Sequence, residues 1–590
     1  MTVFRYEIPV ALTLQTPFAT RGLTVSRASL DLTLARNRGH QLIIPGTLLT
    51  GNVRAALERL ATASGAPAIA DEIAALLGRA SEPDDASSQA AWKVANEPRR
   101  GQLTIRDLVI DAASTAKELP DPADYPRIKV DTALGSVAEG FLQFIEQPFA
   151  LGETVTFEGI VDLRAGPVTA ARAEELLQKA LALVPAVGAI KSSGFGKVAG
   201  VTVGTAVPIR ATSGGGIAAP GDVRSVVYTL DRPFLVGGTL ATSNLFRGSN
   251  VVPGGAIKGA LAQALDDAGL KSASMDDLLA ELTLGHAFPR PAGGQHPPWL
   301  PLPLSLAQND DHDHVVDCLL SDAPTHSLAS ASALRFAPDF KSKAKLLEHF
   351  GRSWEPPIYD VRTRTKIDSR TGAAAYENDA GQLFSYAAIE PEGFEWVGRW
   401  VVPARADPAL LQIVESFLAA GVAGLGKTGA IVRARVGATE SLPHPGNEMA
   451  LTLVAPAAIN DLDELRHGRS LRDDYAAYWA GLGYDLVSCF ATQRLEGGYI
   501  ALRYPPSANA CDPYLLTEPG SVFLVRARSN PRIPPTGLLR TGLPPTPWIT
   551  QRDWRSCPFL PENGFGEIRL DRVDHLALAS GQPFRAEQIA

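Results

Sequence analysis

The sequence is short of cysteine. Its 590 residues hold four: Cys318, Cys489, Cys511 and Cys557. They are widely scattered, with no C-x-x-C pair, so neither a disulfide framework nor a cysteine-rich zinc site is expected. A reducing, cytoplasmic setting fits this usage. No apolar run approaches the ~20 residues that span a bilayer, so no membrane partner is expected. The start, MTVFRYEIPVALTLQ, alternates like a strand and lacks the basic, apolar and cleavage regions of a signal peptide. Cationic excess is absent too: 55 lysines and arginines face 63 aspartates and glutamates, for a net charge of −8. That excludes a protein that coats nucleic acid indiscriminately, while leaving room for local basic grooves.

What is present is length and an internal repeat. The chain is about four times the usual ~150 residues per domain, so two to four domains are expected. Composition shifts at ATSGGGIAAPGD (211–222) and at GATESLPHPGNE (437–448), dividing the chain into segments 1–211, 223–437 and 449–590. The first two segments share four elements in one order. TPFATRG matches RPFLVGG, pairing Pro17-Phe18 with Pro233-Phe234. LIIPGTLLTGNVRAALERL matches NVVPGGAIKGALAQAL, each Pro-Gly opening an amphipathic helix that carries a basic residue, Arg54 or Lys258. RIKVDT (127–132) matches RTKIDS (364–369), each before an aromatic strand. Finally, a helix leads into IKSSGFGKVAGVTV and into VAGLGKTGAIVRARV, glycine loops that feed strands. The third segment, with MALTLVAPAAI, PGSVFLVRAR and ENGFGEIRL, reads as a diverged copy. Strand, helix, strand-bearing middle, helix, glycine loop and strand suit a ferredoxin-like α+β unit. The expected architecture is therefore tandem α+β modules with long insertions, the second interrupted at about 285–345.

Gly421 to Thr428, GVAGLGKT, fits the P-loop pattern G-x-x-x-x-G-K-[ST]. A P-loop needs a strand before the glycines and a helix after them, whose amides and dipole hold the phosphates. Here DPALLQIVESFLAAG reads as the preceding helix and AIVRARV as the following strand, so nucleotide hydrolysis is not expected. The glycines read in two ways: as tight turns, or as sites where backbone lacking Cβ approaches a phosphate or ribose and donates its amides to anionic oxygens, with Lys197 or Lys427 supplying local charge.

The IPG helix start (Ile44-Pro45-Gly46 to Arg54), VPGGAIKGALA (Val252 to Ala262) and the glycine-rich loops together resemble the RAMP superfamily of CRISPR-Cas proteins, built from ferredoxin-like, RNA-recognition-type folds. Segment one resembles the backbone subunits of type III effector complexes. Segments two and three resemble the III-D subunit related to the cap on the guide's 5′ handle. The resemblance implies a fused subunit of an RNA-guided complex, with guide RNA, target RNA and other effector subunits as partners. Base pairing would read sequence while the protein grips backbone and shape. Candidate RNA contacts are Gly46, Thr47, Arg54, Arg127, Lys129, Lys191, Gly194, Gly196 and Lys197 in segment one. In the later segments they are Gly254, Lys258, Arg364, Lys366, Gly424, Gly426, Lys427, Gly564 and Gly566.

In type III backbone subunits that cut target RNA, an aspartate precedes the IPG helix. The resemblance carries this onto Asp31, with Arg36 or Arg38 to stabilise charge and a divalent cation, Mg or Mn, as cofactor. The matching loop of segment two has no Asp or Glu, so that copy is expected to bind without cutting. Asp131 and Asp368 recur in both copies and fit an architectural or RNA-positioning role better. Phe141, Phe144, Phe384 and Tyr386 offer rings for base stacking or for the core. His286, His296, His312, His314, His326 and Cys318 form a zinc candidate without finger spacing, and an exposed loop is the simpler expectation. Two rival functions remain: a non-catalytic scaffold, and a guide-processing endoribonuclease using His40.

Overall fold

The computed structural model describes residues 2–20, 30–65, 67–78, 100–120, 123–131, 133–211, 218–237, 239–242, 244–309, 314–317, 319, 334–336, 354–365, 376–377, 380–381, 383–497, 513–547, 549, 553–555, 557–570 and 584–585. It is a mixed α+β chain with several antiparallel sheets. Three of these sheets repeat one plan.

The first sheet begins with β1 (Val3–Gln15), where Ile8, Val10, Leu12 and Leu14 are buried at every second position, the period of a half-buried strand. Helix α1 (Gly46–Ser64) buries Leu49, Val53, Ala56 and Leu57, the stripe of one helical face. Then come β2 (Leu103–Ile105), β3 (Leu108–Ile110), a hairpin of β4 (Ala123–Val130) and β5 (Val137–Gln147), and β6 (Thr154–Arg164). Helix α2 (Ala170–Ala182), capped by Thr169, leads to β7 (Lys197–Val203). Strand β6 lies between β2/β3 and β1, and β7 pairs on the far side of β1, all antiparallel.

The second sheet follows the same route through β8 (Val223–Leu230), a short β9 (Leu245–Arg247), α3 (Gly254–Asp267), β10 (Thr283–Leu284) and β11 (Phe288–Pro291). It continues with a hairpin of β12 (Tyr359–Thr365) and β13 (Leu383–Ile389), then β14 (Phe394–Val401), α4 (Pro408–Ala420), β15 (Val422–Leu425) and β16 (Ala430–Thr439). The order is again β10/β11, β14, β8, β16. The third comprises β17 (Glu448–Leu453), α5 (Leu471–Leu482), β18 (Tyr484–Phe490), a hairpin of β19 (Gln493–Glu496) and β20 (Tyr514–Thr517), β21 (Val522–Ala527), α6 (Pro535–Thr541) and β22 (Ile568–Leu570). Its order is β18, β21, β17, β22.

Each sheet also repeats one irregularity. Between the Ile105–Val161 and Val109–Glu158 pairs, between Leu284–Trp400 and Phe288–Val397, and between Leu486–Val525 and Ser488–Leu524, the second strand carries one residue more than its partner. Such a bulge kinks a strand and re-aims its side chains. Helices α1 and α3 start directly on their bulges. A Cβ on Gly46 would sit 2.2 Å from the Ile105 carbonyl oxygen, and one on Gly254 would sit 1.7 Å from that of Leu284. The glycine of each Pro-Gly is thus required by helix-to-strand approach.

The sheets pack on one another. Phe4 and Ala211 lie in the core of the second sheet, and the Phe4 and Phe417 rings are 4.6 Å apart. Arg5 and Asp162, both buried, join Glu7, Arg106, Asp231 and Arg232 in a charge network across the junction of the first two sheets. Arg399 crosses to the third, donating to the carbonyls of Leu539 and Arg540 at 2.7 Å.

Candidate nucleic-acid interface

The three Gly-x-Gly turns have one construction. Gly194 and Gly196 (φ 87° and 65°), Gly424 and Gly426 (101° and 61°), and Gly564 and Gly566 (89° and 74°) all occupy backbone space that side chains avoid. A Cβ on the second glycine would lie 1.9 Å from the Val187 oxygen, 2.3 Å from that of Leu235, or 2.5 Å from that of Leu543. The turns fold onto the segment after the first strand: the Gly196 amide donates to Pro17, that of Lys427 to Leu235 and that of Gly566 to Pro456, at 2.8–2.9 Å. Gly194 and Gly564 donate to Lys191 and Pro561 at 3.0 and 2.8 Å. These amides are engaged within the chain, which corrects the expectation that they serve as phosphate donors. The P-loop pattern at Gly421–Thr428 lies between α4 and β16, as its sequence context indicates, so no helix N-terminus follows it.

In the first sheet these turns gather the candidate residues. Exposed Asp31 pairs with β5: its amide donates to the Phe144 carbonyl at 2.9 Å, and its Oδ2 accepts the Phe144 amide at 2.8 Å. On the neighbouring strand Arg127 donates to Ser193 Oγ at 3.2 Å, and Tyr125 meets Phe195 edge-on at 5.5 Å. Asp31, Arg127 and the exposed Lys191 and Lys197 therefore belong to one surface formed by hairpin and turn. Arg36 and Arg38 are engaged elsewhere. Arg36 pairs with Glu146 at 2.8 Å, and Arg38 donates to the Glu392 carbonyl at 2.9 Å. Asp131 accepts the Ala133 and Leu134 amides at the hairpin tip, a turn-forming role. Lys129 lies on β4, with its side chain outside the described residues; Lys366 and Asp368 lie outside them altogether.

The hairpin exposes apolar side chains. Ile128, Val130, Val137 and Leu142 are each about half exposed, and Leu134 at the tip is 77% exposed. Phe144 is half-buried; the side chain of Phe141 is outside the described residues.

The second hairpin alternates cations and rings. The Arg364 guanidinium lies 4.4 Å from the Tyr386 ring centroid and donates to its hydroxyl. Tyr386 is paired with Phe246 of β9, and Lys427 Nζ is 4.0 Å from the Phe246 ring. Burial holds the Lys427 ammonium below its ordinary pKa. Phe384 is 37% exposed. The Leu32–Ile145 bridge of the first sheet corresponds to Phe246–Tyr386, which puts Leu245 where Asp31 stands. The missing carboxylate is thus a difference at one structural position.

Other candidates fall away from these surfaces. Lys258 is fully buried, and its Nζ lies 5.3 Å from the Trp554 ring without a hydrogen-bond partner. Its assignment to RNA is therefore corrected: the third segment covers it. Nor is it the counterpart of Arg54, which stands eight residues after Gly46 while Lys258 stands four after Gly254. Arg54 caps the helix Pro67–Leu77, donating to Leu77 and Gly78 carbonyls. Thr47 is exposed at the start of α1. Gly564 and Gly566 are buried. His286 is buried edge-on to Phe565 at 4.8 Å, and burial pushes its imidazole down to about 4. His40 is exposed and His296 is described, His314 lies on a short strand, and His312, His326 and Cys318 lie outside the described residues. Among the described residues no three His, Cys, Asp or Glu side chains group to hold a metal, and no helix is long and apolar enough to cross a membrane.

Sequence inspection missed Phe246 and the Arg5–Asp162 network. Phe246 follows an unremarkable loop, and the network joins residues far apart in the chain; neither leaves a local pattern.

No family model matches the chain, and no curated protein does. Among the solved structures that contain a similar chain are two cryo-EM structures, of the Type III-B Cmr-beta bound to cognate target RNA and AMPPnP, and of the Type III-B Cmr-beta bound to cognate target RNA. Identity is 14% and 15%, and the TM-score is 0.30 in both, over 51% of this chain and 86% of that chain.

Proposed function

We propose that the chain is an RNA-binding subunit of a type III CRISPR effector complex, made of three ferredoxin-like modules at 1–211, 223–437 (interrupted at about 285–345) and 449–590. The observation that carries this is the repeated pairing of a projecting hairpin with a basic glycine turn: Arg127 against Ser193, and Arg364–Tyr386 beside Phe246–Lys427. The thrice-repeated strand order supports the ferredoxin-like assignment. The exposed apolar side chains of the first hairpin and exposed Phe384 on the second, with Arg127, Arg364 and Lys427 beside the two hairpins and Tyr386 buried beneath, match RNA, whose bases offer faces and whose phosphates offer charge. The acidic remainder of the surface keeps binding confined to this path.

In the first module Asp31 is the candidate cleavage residue. Its Oδ1 makes no hydrogen bond or ion pair among the described residues and stands beside the hairpin surface. There the carboxylate would orient a ribose 2′-hydroxyl onto the adjacent phosphorus. A new O–P bond forms, the bond to the 5′-oxygen breaks and that oxygen takes the proton, leaving a 2′,3′-cyclic phosphate and a 5′-hydroxyl. A single carboxylate with phosphate and water also fits a Mg or Mn ion, which would neutralise charge on the phosphate oxygens. Asp31→Asn in the assembled complex should abolish cleavage and leave RNA affinity unchanged. Undiminished cleavage would instead favour the scaffold role.

A further inference from the structure

Two carboxylates cross between the segment that carries Asp31 and the strand β5 beside it. Asp31 Oδ2 accepts the Phe144 amide at 2.8 Å, and two residues further along β5 Glu146 reaches back, its Oε2 accepting the Leu34 amide at 2.7 Å. Between these two contacts the Glu146 amide donates to the Leu32 carbonyl at 2.9 Å. Glu146 is buried, and Arg36 holds its other oxygen, Oε1, at 2.8 Å while donating to the His40 carbonyl. The clamp is reciprocal, each side lending the other one acceptor.

The second module makes the same crossing without it. Counting from the Phe246–Tyr386 pair, Ala387 stands where Glu146 does and Gly248 where Leu34 does. The Gly248 amide donates straight to the Ala387 carbonyl at 2.9 Å, and a Cβ on Gly248 would lie 3.2 Å from that oxygen. Glycine permits this close approach. Leu34 instead carries a side chain into the core of the first sheet, and its amide is satisfied by a carboxylate reaching across. A buried amide without an acceptor is costly, so loss of the Glu146 carboxylate would shift the segment rather than leave it in place. Asp31 lies three residues upstream on that segment. Positions 31 and 146 are thus both acidic in the copy that holds the cleavage candidate, while their counterparts in the other copy, Leu245 and Ala387, are both apolar.

We propose that Glu146 is a positioning residue for cleavage: by holding the Leu34 amide it fixes the Asp31 carboxylate against the hairpin, without touching RNA itself. This rests on Asp31 acting on the target, as proposed above. A displacement of about 1 Å at a reacting group can cost on the order of a hundredfold in rate, which is the scale of effect expected here.

The test uses the assembled complex at saturating target RNA in single turnover, with cleavage rate and RNA affinity measured separately. Glu146→Ala should slow cleavage about tenfold to a hundredfold with affinity unchanged. Glu146→Gln presents an oxygen to the Leu34 amide and should restore most of the rate, and Arg36→Ala, which leaves that contact in place, should keep most of it. Should Glu146→Ala not assemble, Glu146→Asp, which draws the carboxylate back by one methylene, should show the same selective loss. Undiminished cleavage in Glu146→Ala or Glu146→Asp would overturn the proposal, as would equal losses in Glu146→Ala, Glu146→Gln and Arg36→Ala, the pattern of a purely structural ion pair. Asp31→Asn separates the two claims: if it cleaves normally, the role of Asp31 falls, whereas normal cleavage by Glu146→Ala beside an inactive Asp31→Asn removes the role of Glu146 alone.

Discussion

Arg362, on the second sheet's hairpin, grips Asp107 on the first sheet's bulge at 2.8 Å, and the same carboxylate accepts the Gly46 amide at 2.8 Å. One side chain thus caps the start of α1 and anchors the neighbouring hairpin. Asp107→Ala removes the cap and this ion pair together, while Arg362 keeps its pair with Asp360 at 2.7 Å; it should cost about 1–2 kcal/mol. Arg362→Ala leaves the cap intact and should cost less. Urea unfolding of the two variants checks the order.

The Asp162 carboxyl is pushed up by burial, but the hydrogen bond and charge of Arg106 with the charge of Arg232 outweigh this and hold it below the ordinary range. The folded state therefore releases this proton more readily than the unfolded chain. The network's contribution is present above the unfolded value of ~4 and is lost as pH falls through the lower folded value. Asp162→Asn should lower stability near neutrality and flatten the acid limb of a plot of denaturation midpoint against pH.

Burial without a hydrogen-bond partner lowers the Lys258 ammonium to about 7, against a smaller opposing pull from Glu562. Between about 7 and the unfolded value of ~10.4 the unfolded chain binds more protons, so stability rises with pH across that window. Below it the burial penalty is complete. Lys258→Met should raise the thermal midpoint at pH 7 and remove the alkaline rise. An unchanged slope would show that Lys258 is solvated.

The two glycines of a turn are not equivalent. A Cβ on Gly196 meets the Val187 oxygen at 1.9 Å, whereas one on Gly194 meets nothing, although both have positive φ. Gly194→Ala should cost about 1–2 kcal/mol of backbone strain, and Gly196→Ala clearly more, as measured by chemical denaturation.

Much of this plan is legible in the sequence because its signals are local. Alternation marks β1, the Pro-Gly pairs mark α1 and α3, and the Gly-x-Gly turns mark the entries to β7, β16 and β22. The helix before Gly421 and the strand after Thr428 disqualify the P-loop pattern correctly. Packing between segments is not legible. Lys258 and Arg54 both look like solvated helix cations, yet one lies beneath Trp554 and the other caps a helix. In sequence the glycine amides look like ligand donors, because the carbonyls of Pro17 and Pro456 that accept them lie far off along the chain.

Whether RNA follows the two hairpins is tested most directly by photocross-linking the full chain to 4-thiouridine-labelled guide RNA and identifying the adducted peptides by mass spectrometry. The account predicts adducts on the hairpins 123–147 and 359–389 and at Phe246, reduced by Arg127→Ala with Arg364→Ala. It also predicts a shallower salt dependence for that double variant, by about one unit of slope for each phosphate no longer neutralised. Adducts confined to other surfaces, with both hairpins unmodified, would contradict it.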